Sequence, residues 1–326
     1  SNKKLIENLK HHQLEQKKSL VHLSDIKKIK EQNSDLLPMT SAFGTDFSNP
    51  EWTKTICIED EEDCVGKFKD LETLLRSAPS YKTLTCIIEK NMSTLLQALM
   101  CFLFDEKKFK ESNRVFTLEG YDIRLCLNKN EYNSITKAKE VLHLADSGNN
   151  DWLYLVAVRD PVERFISAYV DKCVRQPRKD GCNGCKANIT CFIITEYERI
   201  MENSFSNSIS KTFEDVHFFP QLWYKHCNFS TEIQNYKLLH YSSDPQNTGK
   251  FLDDLLNLLL IQKVPKESLE FIKDQLTSGR TVHSTVTSEA RVFYEERLKS
   301  SPFLLEYVIR MYYWDYRLFG FELPKF

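Results

Sequence analysis

The chain has 326 residues, 41% hydrophobic and 28% charged, enough to bury one large core or two modest ones. Its 44 Lys and Arg against 46 Asp and Glu leave a formal net charge of -2, which excludes the protein-wide basic field that holds nucleic acid by phosphate neutralisation. No run reaches the ~18 consecutive apolar residues of a membrane-spanning helix, the richest being Leu255 to Ile261 and Leu153 to Val158. The chain starts at Ser1 without a signal-like succession, so any leader or anchor is expected to lie upstream of it.

In chain order, Lys3 to about Gln32 is rich in Lys and Glu with a thin apolar scatter, the pattern of a solvated helix or stalk. A turn-rich passage over 41–50 and an acidic, water-facing run from Glu59 to Asp63 follow. Leu71, Leu74 and Leu75 fall on one face of a short helix that breaks at Ala78-Pro79. Leu84 to Ile88 has strand length and β-branched content; Glu89 to Thr94 is a polar loop; Leu95 to Phe104 has helical spacing. Strand, loop and helix in that order make the first half of a βαβ unit.

The pattern recurs at Leu153 to Val158, an apolar run of the kind buried parallel strands show, ending in Arg159-Asp160-Pro161. Asp160 suits an N-cap, Pro161 the first helical position and Glu163 the capping-box position, so a helix starts there. Further helices are read near Ile189 to Met201, Gly249 to Leu260, Ser288 to Lys299 and Pro302 to Tyr316, with a short strand at Tyr236 to Tyr241. Phe303, Tyr307, Met311, Trp314 and Leu318 are spaced as one buried helix face. The fold class is α/β, a P-loop-like parallel sheet flanked by helices; residues 1–40 read as a stem and 41–326 as the compact domain.

Ten cysteines admit two readings. Cys182 and Cys185, flanked by Cys173 and Cys191, have zinc-like spacing, but the loop between them is turn-like and no second Cys-x-x-Cys exists, which favours disulfides and an oxidising lumen. Sequons at Asn91, Asn188 and Asn228 permit glycosylation in such a compartment.

Two segments carry chemistry. A strand running through a polar loop into a helix leaves unpaired backbone N–H groups at the positive end of the helix dipole, an anion site. Lys90 adds a charge there and Ser93 and Thr94 add hydroxyls, although the glycines of nucleotide triphosphatases are missing and Glu89 opposes an anion unless it points away. The bland alternative makes Ser93 an N-cap and Lys90 a surface charge. Arg159 stands at the carboxyl end of a parallel strand, where α/β sheets bind ligands, and Ser167 lies two helical turns on, a pair suited to a phosphate monoester. The alternative pairs Arg159 with an acid and packs Ser167.

Together, Lys90-Asn91-Met92-Ser93-Thr94 and Arg159-Asp-Pro-Val-Glu-Arg-Phe-Ile-Ser-Ala-Tyr169 resemble the two nucleotide signatures of sulfotransferases that use 3′-phosphoadenosine 5′-phosphosulfate (PAPS). The first resembles the 5′-phosphosulfate loop, with Glu89 where the vertebrate carbohydrate enzymes carry Pro, and the second the 3′-phosphate motif. Val216-His217-Phe-Phe-Pro-Gln-Leu-Trp223, Thr281-Val-His283-Ser-Thr285 and the ending Tyr312 to Phe321 are similar to segments of the Golgi chondroitin 4-O-sulfotransferase-like carbohydrate enzymes, and the cysteine cluster with Cys86-Ile-Ile-Glu-Lys-Asn-Met-Ser-Thr94 most resembles a divergent nematode branch of them. The resemblance spans roughly residues 80–320.

It implies a type II enzyme of the Golgi lumen that moves a sulfuryl group from PAPS to a glycan hydroxyl, chondroitin-type by likeness, leaving adenosine 3′,5′-bisphosphate. Lys90 and the loop would stabilise charge in transfer, with Asn91, Met92, Ser93 and Thr94 on the 5′-phosphate and Arg159 and Ser167 on the 3′-phosphate. His217 is the candidate base, against a plain buried or loop histidine, and His283 a weaker nucleotide contact. Lys172, Arg175, Arg178 and Lys179 could form a cationic rim for a polyanionic glycan or a solvated loop. No metal and no nucleic-acid partner are expected, and membrane attachment only through an upstream anchor. Other readings are a catalytically inactive PAPS-binding or secreted disulfide-stabilised binding protein, a P-loop kinase, disfavoured by the missing glycines and Mg²⁺ ligands, and a cytosolic relative acting on small phenols or steroids.

Overall fold

The computed structural model describes residues 23–58, 61–120, 122–144, 151–179, 181–279 and 288–325. Its strands are β1 (Leu75–Ala78), β2 (Thr83–Cys86), β3 (Glu131–Tyr132), β4 (Leu153–Arg159) and β5 (Tyr236–Tyr241). The longer helices are α1 (Leu23–Gln32), α2 (Ser93–Phe104), α3 (Pro161–Tyr169), α4 (Ile189–Phe205), α5 (Pro245–Ile261), α6 (Lys266–Thr277), α7 (Glu289–Lys299) and α8 (Pro302–Phe319). The described residues fall into two compact units, one built from 71–159 and 224–279, the other from 23–70, 160–223 and 288–325.

The first unit carries the sheet, in the order β3-β1-β2-β4-β5. β2, β4 and β5 run parallel, with Thr83 opposite Leu153 and Arg159 opposite Tyr241. β4 is buried along its whole length, as its unbroken apolar run requires of a strand covered on both faces. β1 and β3 extend the sheet antiparallel, so it is mixed rather than all parallel. α2 packs Leu96, Leu99 and Phe102 into a core with Phe109, Phe116, Leu255 and Ile272, and Phe102 stacks on Phe271 at 4.6 Å.

One expectation fails here. The stretch read as a helix from Leu71 ends instead as β1, because hydrogen bonds to β2 on one side and β3 on the other bury all four of its residues; three leucines in so short a run do not separate the two periods. α6 has an amphipathic pattern that the sequence reading passed over.

The second unit centres on aromatic rings: Phe165 lies 5.6 Å from Phe218 and 6.0 Å from Phe192, and Tyr169 5.0 Å from Tyr294. α3 begins as its sequence specifies, with Asp160 Oδ1 accepting from the Glu163 N–H at 3.0 Å and Pro161 at the first position. It runs on into a π-helical stretch, Val170–Arg175. α8 kinks at Tyr312, whose φ of -123° leaves the helical range. The kink shifts the phase of the buried face: Phe303, Tyr307 and Met311 are buried as expected, but Asp315, Tyr316 and Phe319 then replace Trp314 and Leu318. Within the same unit, Asn33 at the end of α1 donates to Ala187 O (2.7 Å) and accepts from the Ile189 N–H (3.0 Å).

All ten cysteines pair, as Cys57–Cys64, Cys86–Cys227, Cys101–Cys126, Cys173–Cys182 and Cys185–Cys191, so the disulfide reading holds against zinc.

Candidate active site

The loop after β2 is held in a shape that side chains resist. Lys90 and Met92 both take positive φ, 69° and 60°, where a Cβ costs about 1 kcal/mol and glycine is the usual choice. Two anchors hold it: Asn91, wholly buried, donates from Nδ2 to Ala157 O of β4 at 2.9 Å, and the Glu89 N–H donates to Tyr224 Oη at 3.2 Å. The Asn91 N–H closes the turn by donating to Ile88 O at 3.3 Å.

No side chain caps α2, whose N-cap position is Met92. Ser93 is therefore not the N-cap of the bland reading. Its hydroxyl donates instead to Glu89 Oε2 at 3.0 Å, so Glu89 does not point away from the loop. Lys90, Ser93 and Thr94 are half-buried. An uncapped helix start, an ammonium and two hydroxyls fit a phosphate or sulfate group.

Arg159 joins this loop to the far strand. Its guanidinium, 3% exposed, donates from Nη1 to Lys90 O (3.0 Å) and from Nη2 to Ser243 Oγ (2.9 Å), and lies 5.0 Å from the Tyr241 ring centroid. The structure thus brings Lys90, Asn91, Met92, Ser93, Thr94 and Arg159 together at the carboxyl ends of adjacent parallel strands. Tyr224, Tyr241 and Ser243 were not picked out from sequence. The available signal was that Tyr241 ends a predicted strand, and ligand-site residues gather at strand ends in α/β folds.

The other candidates belong to the second unit. Ser167 is buried on α3, and burial pushes the Asp160 carboxyl above the ordinary aspartate range, against the pull of the Glu163 N–H. His217 sits in the short turn Asp215–His217, with Nδ1 3.1 Å from Glu214 O. A carbonyl only accepts, so Nδ1 is the donor in this contact, and Nε2 is the ring's other nitrogen. The same turn is tied down by Arg199, which grips Asp215 (Nη1 to Oδ1, 3.0 Å) beside Glu196. Full burial and the Asp215 charge push Glu196 up to about 7.

The cationic segment is mixed in character. Lys172 is buried and pairs with Asp171 at 3.2 Å, Arg178 stacks 3.5 Å over Phe213, Arg175 is half-buried and Lys179 is exposed. His283 and the rest of 281–285 lie outside the described residues.

Comparison with known proteins agrees with this geometry. The chain is 40% identical over 237 residues to the Caenorhabditis elegans protein named "Putative sulfotransferase vep-2", covering 72% of each chain. It is 34% identical to C. elegans "Uncharacterized protein C18B2.2" over 94% of this chain and 83% of that one. To C. elegans "Carbohydrate sulfotransferase chst-1" it is 33% identical, over 75% and 74%. No solved structure matches. Residues 74–322, from the start of the sheet to past the end of α8, match the sulfotransferase family, and the chain belongs to that family as an enzyme of sulfuryl transfer.

Proposed function

We propose that this sulfotransferase draws its sulfuryl group from PAPS and delivers it to a glycan hydroxyl in the Golgi lumen, with chondroitin and its 4-O position as the acceptor. The observation that carries the donor reading is the bond from Arg159 Nη1 to Lys90 O, which couples the two segments expected to grip the 3′- and 5′-phosphates. The carbohydrate sulfotransferase relative and the chondroitin-like motifs support a glycan acceptor. Five disulfides support a lumenal, oxidising address. Residues 1–40 are taken as the stem of a type II protein anchored upstream and 41–326 as the transferring domain.

Bound PAPS supplies a sulfuryl group whose S–O bond to the 5′-phosphate breaks as the acceptor oxygen bonds to sulfur. Lys90 and the N–H groups at the start of α2 stabilise charge on the phosphate side, in the loop shaped by Asn91 and Met92, while Ser93 and Thr94 donate hydroxyls. Arg159 fixes the loop through the Lys90 carbonyl and, with Ser167, is assigned the 3′-phosphate, which selects PAPS over ATP. His217 Nε2 takes the acceptor's proton. Lys172, Arg175, Arg178 and Lys179 are assigned to the acidic glycan.

The test is thermal stability with adenosine 3′,5′-bisphosphate, PAPS and ATP, for the wild type, Lys90→Ala and Arg159→Ala, followed by labelled-sulfate transfer to chondroitin and dermatan. Stabilisation by the 3′-phosphorylated nucleotides alone, lost in both variants, is expected. Stabilisation by ATP alone would favour a kinase, and donor binding without transfer to either glycan would remove the acceptor assignment.

A further inference from the structure

The three sequons differ in what their asparagine side chains hold. Asn91 is wholly buried and its Nδ2 donates to Ala157 O in the middle of β4. Asn188 caps α4, accepting from the Cys191 N–H at 2.8 Å, and its Nδ2 donates to Gln32 O at 2.9 Å. A sugar on either would replace a hydrogen aimed into packed protein.

Asn228 is different. It follows the short turn Lys225–Cys227 in the left-handed region (φ 47°, ψ 47°), a conformation asparagine tolerates. Its Nδ2 donates only locally, to Thr231 Oγ1 at 2.7 Å, and its Oδ1 accepts from Ser230 Oγ, the sequon hydroxyl, at 3.1 Å. Lys225, Ser230 and Thr231 are exposed around it, while buried Phe229 and the Cys86–Cys227 bridge fix the turn from below.

We propose that Asn228 carries an N-linked glycan and that Asn91 and Asn188 do not. Nδ2 forms a bond to C1 of the first sugar of a lipid-diphosphate-linked oligosaccharide; the C1–O bond to the diphosphate breaks, the lipid diphosphate leaves and Nδ2 gives up one proton. The second Nδ2 hydrogen remains for Thr231. The inference rests on the lumenal address proposed above.

The full chain, secreted from animal cells behind a heterologous leader, reaches the lumen whatever its native address, so the site is tested apart from the compartment. Peptide mapping after enzymatic deglycosylation in ¹⁸O water is expected to label position 228 alone, and the intact mass to fall by one glycan. Asn228→Gln and Ser230→Ala are both expected to abolish that mass change while keeping stabilisation by adenosine 3′,5′-bisphosphate. An unmodified Asn228 in the secreted protein, or a label at 91 or 188, overturns the proposal. Imaging of the endogenous protein tests the address separately.

Discussion

The Ser93 hydroxyl donates to the Glu89 carboxylate across the turn that opens α2, at 3.0 Å. An incoming phosphate must take that hydroxyl and then face a carboxylate. Removing one half-buried like charge at such range is worth on the order of 1 kcal/mol. Glu89→Gln is therefore expected to tighten adenosine 3′,5′-bisphosphate binding about fivefold by titration calorimetry. Weaker binding would mean that the carboxylate shapes the loop rather than opposing the ligand.

Arg159 ties a loop carbonyl and Ser243 with the two ends of one planar fork, which the single nitrogen of a lysine does not reproduce. Arg159→Lys keeps the charge but is expected to weaken donor binding about tenfold or more, and to cost roughly 1–3 kcal/mol of stability through the partners left unpaired. Denaturant unfolding and nucleotide titration of the same preparation check both effects. Wild-type affinity in Arg159→Lys would show that charge alone suffices.

His217→Gln is expected to cut turnover by about 10²- to 10⁴-fold while leaving the thermal shift with adenosine 3′,5′-bisphosphate unchanged. Full turnover in that variant would remove His217 as the base.

Two buried carboxyls predict the pH dependence. Burial pushes Glu196 to about 7 and Asp315 to about 6, the latter despite N–H bonds from Gln221 and Leu222. Between their unfolded values near 4 and these native ones, the folded chain holds protons that the unfolded chain releases, so stability from these groups falls as pH rises through that window. The melting temperature is expected to be higher at pH 5.5 than at pH 8, and Glu196→Gln to flatten the profile and raise the pH 8 value. A variant profile parallel to the wild type would refute this assignment.

The bridges should differ in weight. Cys86–Cys227 closes a stretch of 141 residues and Cys185–Cys191 one of only 6. Chain entropy alone gives about 5 against about 2 kcal/mol. Urea unfolding of the two Cys→Ser double variants is expected to place the first well below the second, and the reverse order would point to native-state packing as the controlling term.

What the sequence revealed follows from how local each signal is. β4, the start of α3 and the strand Tyr236–Tyr241 were legible because an unbroken apolar run, a cap with its proline and a short run of tyrosines and leucines each lie within a few residues. β1 was misread because its pairing partners lie 5 to 57 positions downstream, from Thr83 to Tyr132. Lys90 and Arg159 could be singled out by type and position, but not their bond, which depends on register between β2 and β4. Tyr241 and Ser243 carry no motif at all; only the pairing of Arg159 with Tyr241 across the sheet makes them neighbours. The phase change in α8 was hidden because nothing in the stripe of large residues marks Tyr312 as the point of the kink.

The Asn33 clasp sets a limit on trimming the protein. A shortened chain starting at residue 41 would lose both Gln32 and Asn33, and with them the partners of the Ala187 N–H, the Asn188 side-chain amide and the Ile189 N–H, while Ala187 O would keep only the Tyr294 hydroxyl. Ile189 is fully buried with Asn33 in place, and an amide left without its partner costs roughly 1–3 kcal/mol. Trimming of the chain for crystallisation or large-scale production should therefore cut upstream of Leu23, not within the turn-rich passage that looks from sequence like the natural seam.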